Sequence, residues 1–269
     1  MPLAVCATPI GNLDDVTLRV LAELREADLV LCEDTRHTRI LLDRHGIRAR
    51  VASYHRHNEA ARTAEALARL EAGARVALVS DAGLPGMNDP GARLVVAALE
   101  ASVPVTVLPG ASAVETALVA SGLVGERYQF VGYLPRRTTE LEALARELSA
   151  WPHAVVAFES PRRLSASLRV LAVEMPERPA AVCRELTKRF EEVARGTLSE
   201  LAARFAEGAR GEVSVVLGAV PHVAAETVSR EALDAVAELV AAGVARRRAA
   251  DLVSRLTGAS RNALYRGSL

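Results

Sequence analysis

Aromatic residues are scarce in this 269-residue chain, at 3%, with a single tryptophan. The core must therefore be built from alanine, valine and leucine. The row of stacking rings that marks a dedicated single-strand binder is missing. Lysine is scarcer still: Lys188 stands alone among 33 basic residues, the rest being arginine. The three cysteines, Cys6, Cys32 and Cys183, have no CxxC spacing and fall in apolar strand-like runs. They read as buried thiols of a cytoplasmic protein rather than disulfides or metal ligands. No apolar run approaches the ~18 residues needed to span a bilayer. Met1-Pro2-Leu3-Ala4-Val5 has no basic n-region, so no signal peptide is expected. Net charge is zero, which argues against a chain-wide affinity for nucleic acid. Sequence signatures of other chemistries are absent too: no GxGxxG after the first strand, no Walker lysine loop, no His/Cys/Asp cluster with metal spacing, and no GxSxG elbow.

What is present is hydrophobic material, 50% of the chain, in an alternating pattern. Strands are predicted at 3–8, 28–33, 50–54, 74–80 and 103–108, and helices at 15–26, 36–44, 59–72, 89–101 and 111–121. Strand followed by helix, repeated, implies a parallel sheet with helices on its faces. After a hinge at 122–127 comes a second α/β set of mixed strand order. It has strands at 128–134, 153–159, 179–185, 191–196 and 212–219, and helices at 137–149, 162–174 and 197–206. A polar stretch begins at Pro221 and His222, and a helical tail follows from Glu226. In that tail Gly258 and the N-cap Ser260 divide two short helices, a weak likeness to a helix-turn-helix. The expected domains are 1–121, 122–222 and the tail 223–269.

Three loops leave first-set strands with glycine and proline in unusual density: Thr8-Pro9-Ile10-Gly11-Asn12, Ser80 to Gly91, and Leu108-Pro109-Gly110-Ala111-Ser112-Ala113. Such loops suit a backbone that must come close to a ligand. In open α/β sheets ligands sit beyond the carboxyl ends of the strands, and a helix start after such a loop offers free N–H groups to an anion. A small-molecule site is therefore expected at this edge. Glu33, Asp34 and Arg36 end the second strand at the same edge, either as a structural ion pair or as substrate contacts. Glu159, before Ser160-Pro161, faces the same choice. Residues 34–62 hold seven arginines against three acids, either a solvated face or a stripe for a polyanion.

The runs Thr8 to Leu13, Cys32 to Arg36, Ser80 to Gly91, Pro109 to Ala113, Phe158 to Leu164 and Arg184 to Lys188 resemble, in order, those of the small-subunit rRNA methyltransferase I family. That family belongs to the tetrapyrrole-methylase-like class of S-adenosylmethionine enzymes. The resemblance covers residues 3 to about 220. It implies two α/β domains with S-adenosylmethionine in the cleft between them, a homodimer, and 2′-O-methylation of cytidine 1402 in 16S rRNA of the small subunit. Leu84 and Met87-Asn88 depart from the family's usual Thr and Ile-Ser. By the same resemblance Ile10, Asp81, Gly83, Leu84, Gly110, Ala111, Ser112 and Ala113 hold the cofactor, with Ser160 contributed by the second domain.

Lys188 and Glu33 are the candidate catalytic residues. A chain that uses arginine almost everywhere keeps one lysine, and lysine can lose its proton when desolvated whereas arginine cannot. A cleft between domains could shift Lys188 toward neutrality and make it a base, or hold it as a cation beside the reacting hydroxyl. Arg36, Arg48, Arg50 and Arg184 are the expected RNA contacts; no metal is called for. Two other functions stay open. A tetrapyrrole C-methylase would share the cofactor loops but not the Glu33–Arg36 and Arg184–Lys188 runs. A non-enzymatic RNA-binding module would want more basic charge and more rings.

Overall fold

The computed structural model describes residues 2–86, 89–220 and 229–268. Met87-Asn88 and the polar stretch at Pro221 and His222 lie outside the described residues. Five parallel strands form the first sheet: β1 (Leu3–Cys6), β2 (Leu29–Cys32), β3 (Val51–Ser53), β4 (Val76–Val79) and β5 (Val105–Leu108), in the order β3-β2-β4-β1-β5. Every residue of β1, β2 and β4 is buried, which is why these strands read as unbroken apolar runs. Alternate side chains feed two cores. Leu3, Val5, Leu29, Leu31, Val76 and Leu78 meet α3 (Glu59–Glu71) and α4 (Ala92–Glu100). Ala4, Cys6, Val30, Cys32, Ala77 and Val79 meet α1 (Leu18–Glu26) and α2 (Thr35–Arg44). The three cysteines are free and buried.

The second sheet is mixed: β6 (Tyr128–Tyr133), β7 (Ala154–Glu159), β8 (Pro179–Arg184), β9 (Glu192–Thr197) and β10 (Val213–Leu217), ordered β6-β7-β10-β8-β9, with only β6 and β7 parallel. One face packs on α6 (Thr138–Ser149), α7 (Leu164–Glu174) and α8 (Leu198–Arg204). The other face receives α5 (Ala113–Ser121), whose Ala117 and Leu118 pack with Val156, Ala181, Cys183 and Val216. Thus α5 closes the first run of elements in sequence but lies on the second sheet in space. The tail is three helices, α9 (Arg230–Ala241), α10 (Arg246–Thr257) and α11 (Arg261–Gly267), around a core of their own. Gly258, left-handed, ends α10, and Ser260 caps α11.

Several helices begin later than their apolar pattern suggests, for local reasons. Thr17 caps α1 by accepting from the Val20 N–H, so the helix starts at Leu18, not at 15. Gly91, at φ 143°, keeps Asp89-Pro90-Gly91 in the loop, so α4 starts at Ala92. Pro109 to Ser112 likewise stays non-helical before α5. These late starts lengthen the very loops that meet at the sheet edge.

Candidate active site

The strands β4, β1 and β5 are neighbours, so their three glycine- and proline-rich loops leave one edge side by side. They are tied together. The Thr8 N–H donates to the Gly83 carbonyl at 2.9 Å and the Gly83 N–H returns to Thr8 at 3.0 Å. Thr8 Oγ1 donates to the Ser80 carbonyl at 3.0 Å, and Ser80 Oγ to that of Gly83 at 3.0 Å. Gly83 is left-handed at φ 75°. A Cβ placed on it would stand 3.7 Å from the Ala111 carbonyl and 3.9 Å from Ile10 Cγ2. Bare backbone therefore faces a space walled by the other two loops.

The remaining expected cofactor residues divide by what they touch. Ile10 is buried, and Ala111 and Ala113 are partly so, in the core between α5 and the second sheet. Leu84 packs on the first-sheet core. The Ser112 hydroxyl donates to Glu115. At Gly110 a Cβ would meet Ala7 Cβ at 2.9 Å. Close packing of the third loop on the end of β1 excludes a side chain at this position. Ser160 lines a cleft of about 1160 Å³ with Arg56, Tyr133, Arg136, Arg163 and Ser167. Its N–H donates to Glu159 Oε1 at 2.6 Å. Glu159 also accepts from Ser167 and pairs with Arg163 at 3.3 Å, so it holds the turn rather than a substrate.

A carboxylate cluster stands at the same edge. Asp81 accepts from the Asp34 N–H at 3.1 Å. Burial, then the Asp81 charge, raises the Glu33 pKa. Burial, then Glu33 and Asp81, pushes Asp89 up to about 6. Asp89, although it lies in the second loop, and Tyr133 were not legible as site residues, whereas Arg56 belongs to the arginine-rich stretch 34–62 and lines the cleft. The Tyr133 pKa is raised by burial and by Asp89, Glu212, Glu33 and Glu159, so this ring sits where carboxylates of both halves reach. Among the described residues no group of His, Cys, Asp or Glu is arranged to hold a metal ion.

Arg184 to Lys188 closes the site from the second sheet. Glu185 and Thr187 adopt φ of 51° and 65°, unusual for any side chain and more so for a β-branched one. This conformation lets Thr187 Oγ1 accept from the Asn12 N–H at 2.9 Å. It also lays Lys188 against Gly11, where a Cβ would come within 2.6 Å of Lys188 Cγ. Lys188 Nζ donates to Glu185 at 3.0 Å and Glu212 at 2.8 Å. The expected shift toward neutrality is reversed. Burial works to lower the pKa, but the Glu212 and Glu185 carboxylates outweigh it and the pKa rises.

The expected RNA contacts are unequal. Arg36 makes a two-pronged pair with Asp34 and is otherwise exposed. Arg184 is bound to Glu192 and the Arg210 carbonyl. That arginine therefore ties the end of β8 to Glu192 and to the loop before β10. Arg48 and Arg50 are exposed.

The family model for tetrapyrrole (corrin/porphyrin) methylases matches residues 2–202. A Mesorhizobium japonicum protein named ribosomal RNA small subunit methyltransferase I is 50% identical over 170 residues, 62% of this chain and 56% of its own length. A Thermotoga maritima protein of the same name is 42% identical over 167 residues, 62% of this chain and 75% of its own. The match thus spans a little over half the length of several such relatives. A solved uroporphyrin-III C-methyltransferase from Thermus thermophilus, complexed with S-adenyl homocysteine, shares the fold. Its TM-score is 0.57 at 20% identity, covering 80% of this chain and 96% of that one.

Proposed function

Because the chain belongs to the tetrapyrrole (corrin/porphyrin) methylase family, we propose that it is an S-adenosylmethionine-dependent methyltransferase. It acts in the cytoplasm on the 2′-oxygen of cytidine 1402 in small-subunit 16S rRNA. The names of the relatives support the RNA substrate over a tetrapyrrole. In this reading residues 1–121 and 122–222 are the two domains, 223–269 is the tail, and α5 is the first domain's part of the joint face.

One contact carries the proposal. The Glu185–Lys188 turn packs on the first cofactor loop, so the single lysine lies at the junction of the two sheets.

The site fits the cofactor. Gly83 leaves bare backbone between Ile10 and Ala111, and Glu33, Asp81 and Asp89 supply negative charge suited to a ligand carrying an ammonium and a sulfonium. S-adenosylmethionine, when bound, supplies the methyl group on that sulfonium. The 2′-hydroxyl is a weak nucleophile until its proton leaves. Lys188, held charged by two glutamates, stabilises negative charge on that oxygen. Glu33, whose proton affinity burial raises, is the acceptor. Arg48 and Arg50 meet RNA phosphate, with Arg36 beside them. The open edge strand β5 and the neighbouring α4 expose Val107, Val96 and Leu99, which supports pairing of two copies.

The test incubates the protein with labelled S-adenosylmethionine and unmodified small subunits, then maps alkali-resistant positions in the rRNA. Resistance at cytidine 1402 alone is expected. Label on a base, at another nucleotide, or nowhere would refute the assignment.

A further inference from the structure

Beside Lys188, on the second sheet, is a groove of about 540 Å³ that no step above uses. Its walls include Arg184, Glu185, Phe190, Glu207 and Arg210. Phe190 is 69% exposed in a chain with four phenylalanines. The turn that presents it is closed by its own hydrogen bonds. Glu185 and Thr187 are left-handed, the Thr187 N–H donates to Glu191 at 2.6 Å, and the Glu191 N–H donates to the Lys188 carbonyl at 3.1 Å. Arg189 lies over the Phe190 ring at 5.5 Å. Arg189 and Arg210 have no carboxylate partner among the described residues. Of the two acids in the wall, Glu185 is engaged by Lys188.

A lone exposed phenylalanine is ordinary on a protein surface. This one stands on a clamped turn with unpaired guanidinium groups on it and near it. It opens on the groove that shares Glu185 with the reaction centre. A ring face beside cations is what a single-stranded nucleotide uses, the base stacking and the phosphate pairing. We infer that Phe190, Arg189 and Arg210 form a subsite for an unpaired nucleotide flanking the methylated one. Its base stacks on Phe190 and its phosphate meets the two arginines. The inference rests on the RNA reading above. Glu207 keeps the groove from being uniformly basic, so Arg189 and Arg210 set the phosphate path.

The experiment uses the full chain and a short unstructured RNA oligonucleotide, with an abasic oligonucleotide of equal length as the charge-only control. Phe190→Ala should weaken RNA binding roughly 5- to 150-fold while S-adenosylmethionine affinity and circular dichroism stay as in the parent. Phe190→Trp should retain RNA binding, and its added indole fluorescence, measured against the parent's Trp151 signal, should be quenched by the base-bearing RNA and not by the abasic one. Unchanged RNA affinity in Phe190→Ala, equal quenching by both oligonucleotides, or no RNA binding by the parent would each overturn the subsite. Methylation of small subunits by the parent, scored separately, decides the proposed function. A parent that methylates, with Phe190→Ala of undiminished affinity, removes only the subsite.

Discussion

The state of Lys188 sets a sharp expectation for two substitutions. Because the Glu212 and Glu185 carboxylates outweigh burial and hold the Lys188 pKa above the ordinary lysine value, the neutral amine is a minor species at pH 7. A base populated so thinly forfeits most of the gain that general-base catalysis offers. A fixed cation keeps its full effect. Lys188→Arg preserves the charge between Glu185 and Glu212 and should lower single-turnover methylation by less than about tenfold. Lys188→Met removes the charge and leaves the Glu185 and Glu212 carboxylates unpaired at the proposed reaction centre. It should cost roughly 10²–10³ in rate, the range found when one preorganised donor to a developing oxyanion is removed. Cofactor affinity by calorimetry and subunit binding by filtration serve as controls. If Lys188→Arg falls as far as Lys188→Met with both affinities intact, positive charge is not what the site requires and the reasoning fails.

Four other outcomes are expected. Gly83→Ala should fold, because its Cβ meets nothing closer than 3.7 Å, at about 1–2 kcal/mol of left-handed strain; it should lose cofactor affinity by calorimetry, and unchanged affinity would empty that space of its role. Asp89 is an acid whose native pKa, about 6 against the ordinary 3.8, is raised, so its contribution favours the fold below about pH 4 and is lost as pH climbs through 6. Asp89→Asn should then be more stable than the parent at pH 7, by on the order of 1–2 kcal/mol after solvent screening, yet bind cofactor more weakly; equal stability at pH 5 and 7 relative to the parent would refute the linkage. Arg48→Glu with Arg50→Glu should flatten the salt dependence of subunit binding by roughly 0.7–0.9 log unit for each phosphate that is no longer neutralised, and an unchanged slope would leave both as solvated charges. Arg178 is buried, its guanidinium donating to the carbonyls of Gly218, Leu148, Trp151 and His153; Arg178→Met should destabilise by about 3–5 kcal/mol in denaturant melts, whereas a change under about 1 kcal/mol would mean those carbonyls find other donors.

The parallel strands were legible because burial on both faces leaves no alternation to misread, as in Val76-Ala77-Leu78-Val79. The loops were legible because glycine and proline punctuate them. The packing of α5 on the second sheet was harder to see, although its composition, Ala113-Val-Glu-Thr-Ala-Leu-Val-Ala-Ser121, is more apolar than a helix covering one sheet face needs. Why Gly110 must be glycine was not legible, because its close approach to Ala7 is a tertiary contact. The ionisation of Lys188, base or cation, stayed open in the sequence for a related reason. Desolvation is guessable from a cleft, but Glu212 lies 24 residues from Lys188, and only the pairing of β8 with β10 brings it to the ammonium. Asp89 escaped notice because its shift depends on burial first and then on Glu33 and Asp81, which reach it from the ends of β2 and β4.

The left-handed pair Glu185 and Thr187 ties these observations together. Each such residue costs about 1–3 kcal/mol and persists only when its surroundings fix it. Here they do so on three sides. The Glu185 N–H and Glu185 Oε1 bond the backbone of Glu212 at 3.0 and 2.9 Å. Gly211 has no Cβ, which would fall 2.3 Å from Glu185 Oε1. Gly11 has none either, which admits Leu186, Thr187 and Lys188 against the first loop. A relaxed turn would withdraw Thr187 from Asn12 and Lys188 from Gly11 together. Relieving the strain would therefore part the two halves where the Thr8–Asn12 loop meets the ammonium. The Thr187–Asn12 and Lys188–Gly11 contacts thus serve both the junction of the halves and the proposed reaction centre, and a substitution that relaxes this turn loosens both.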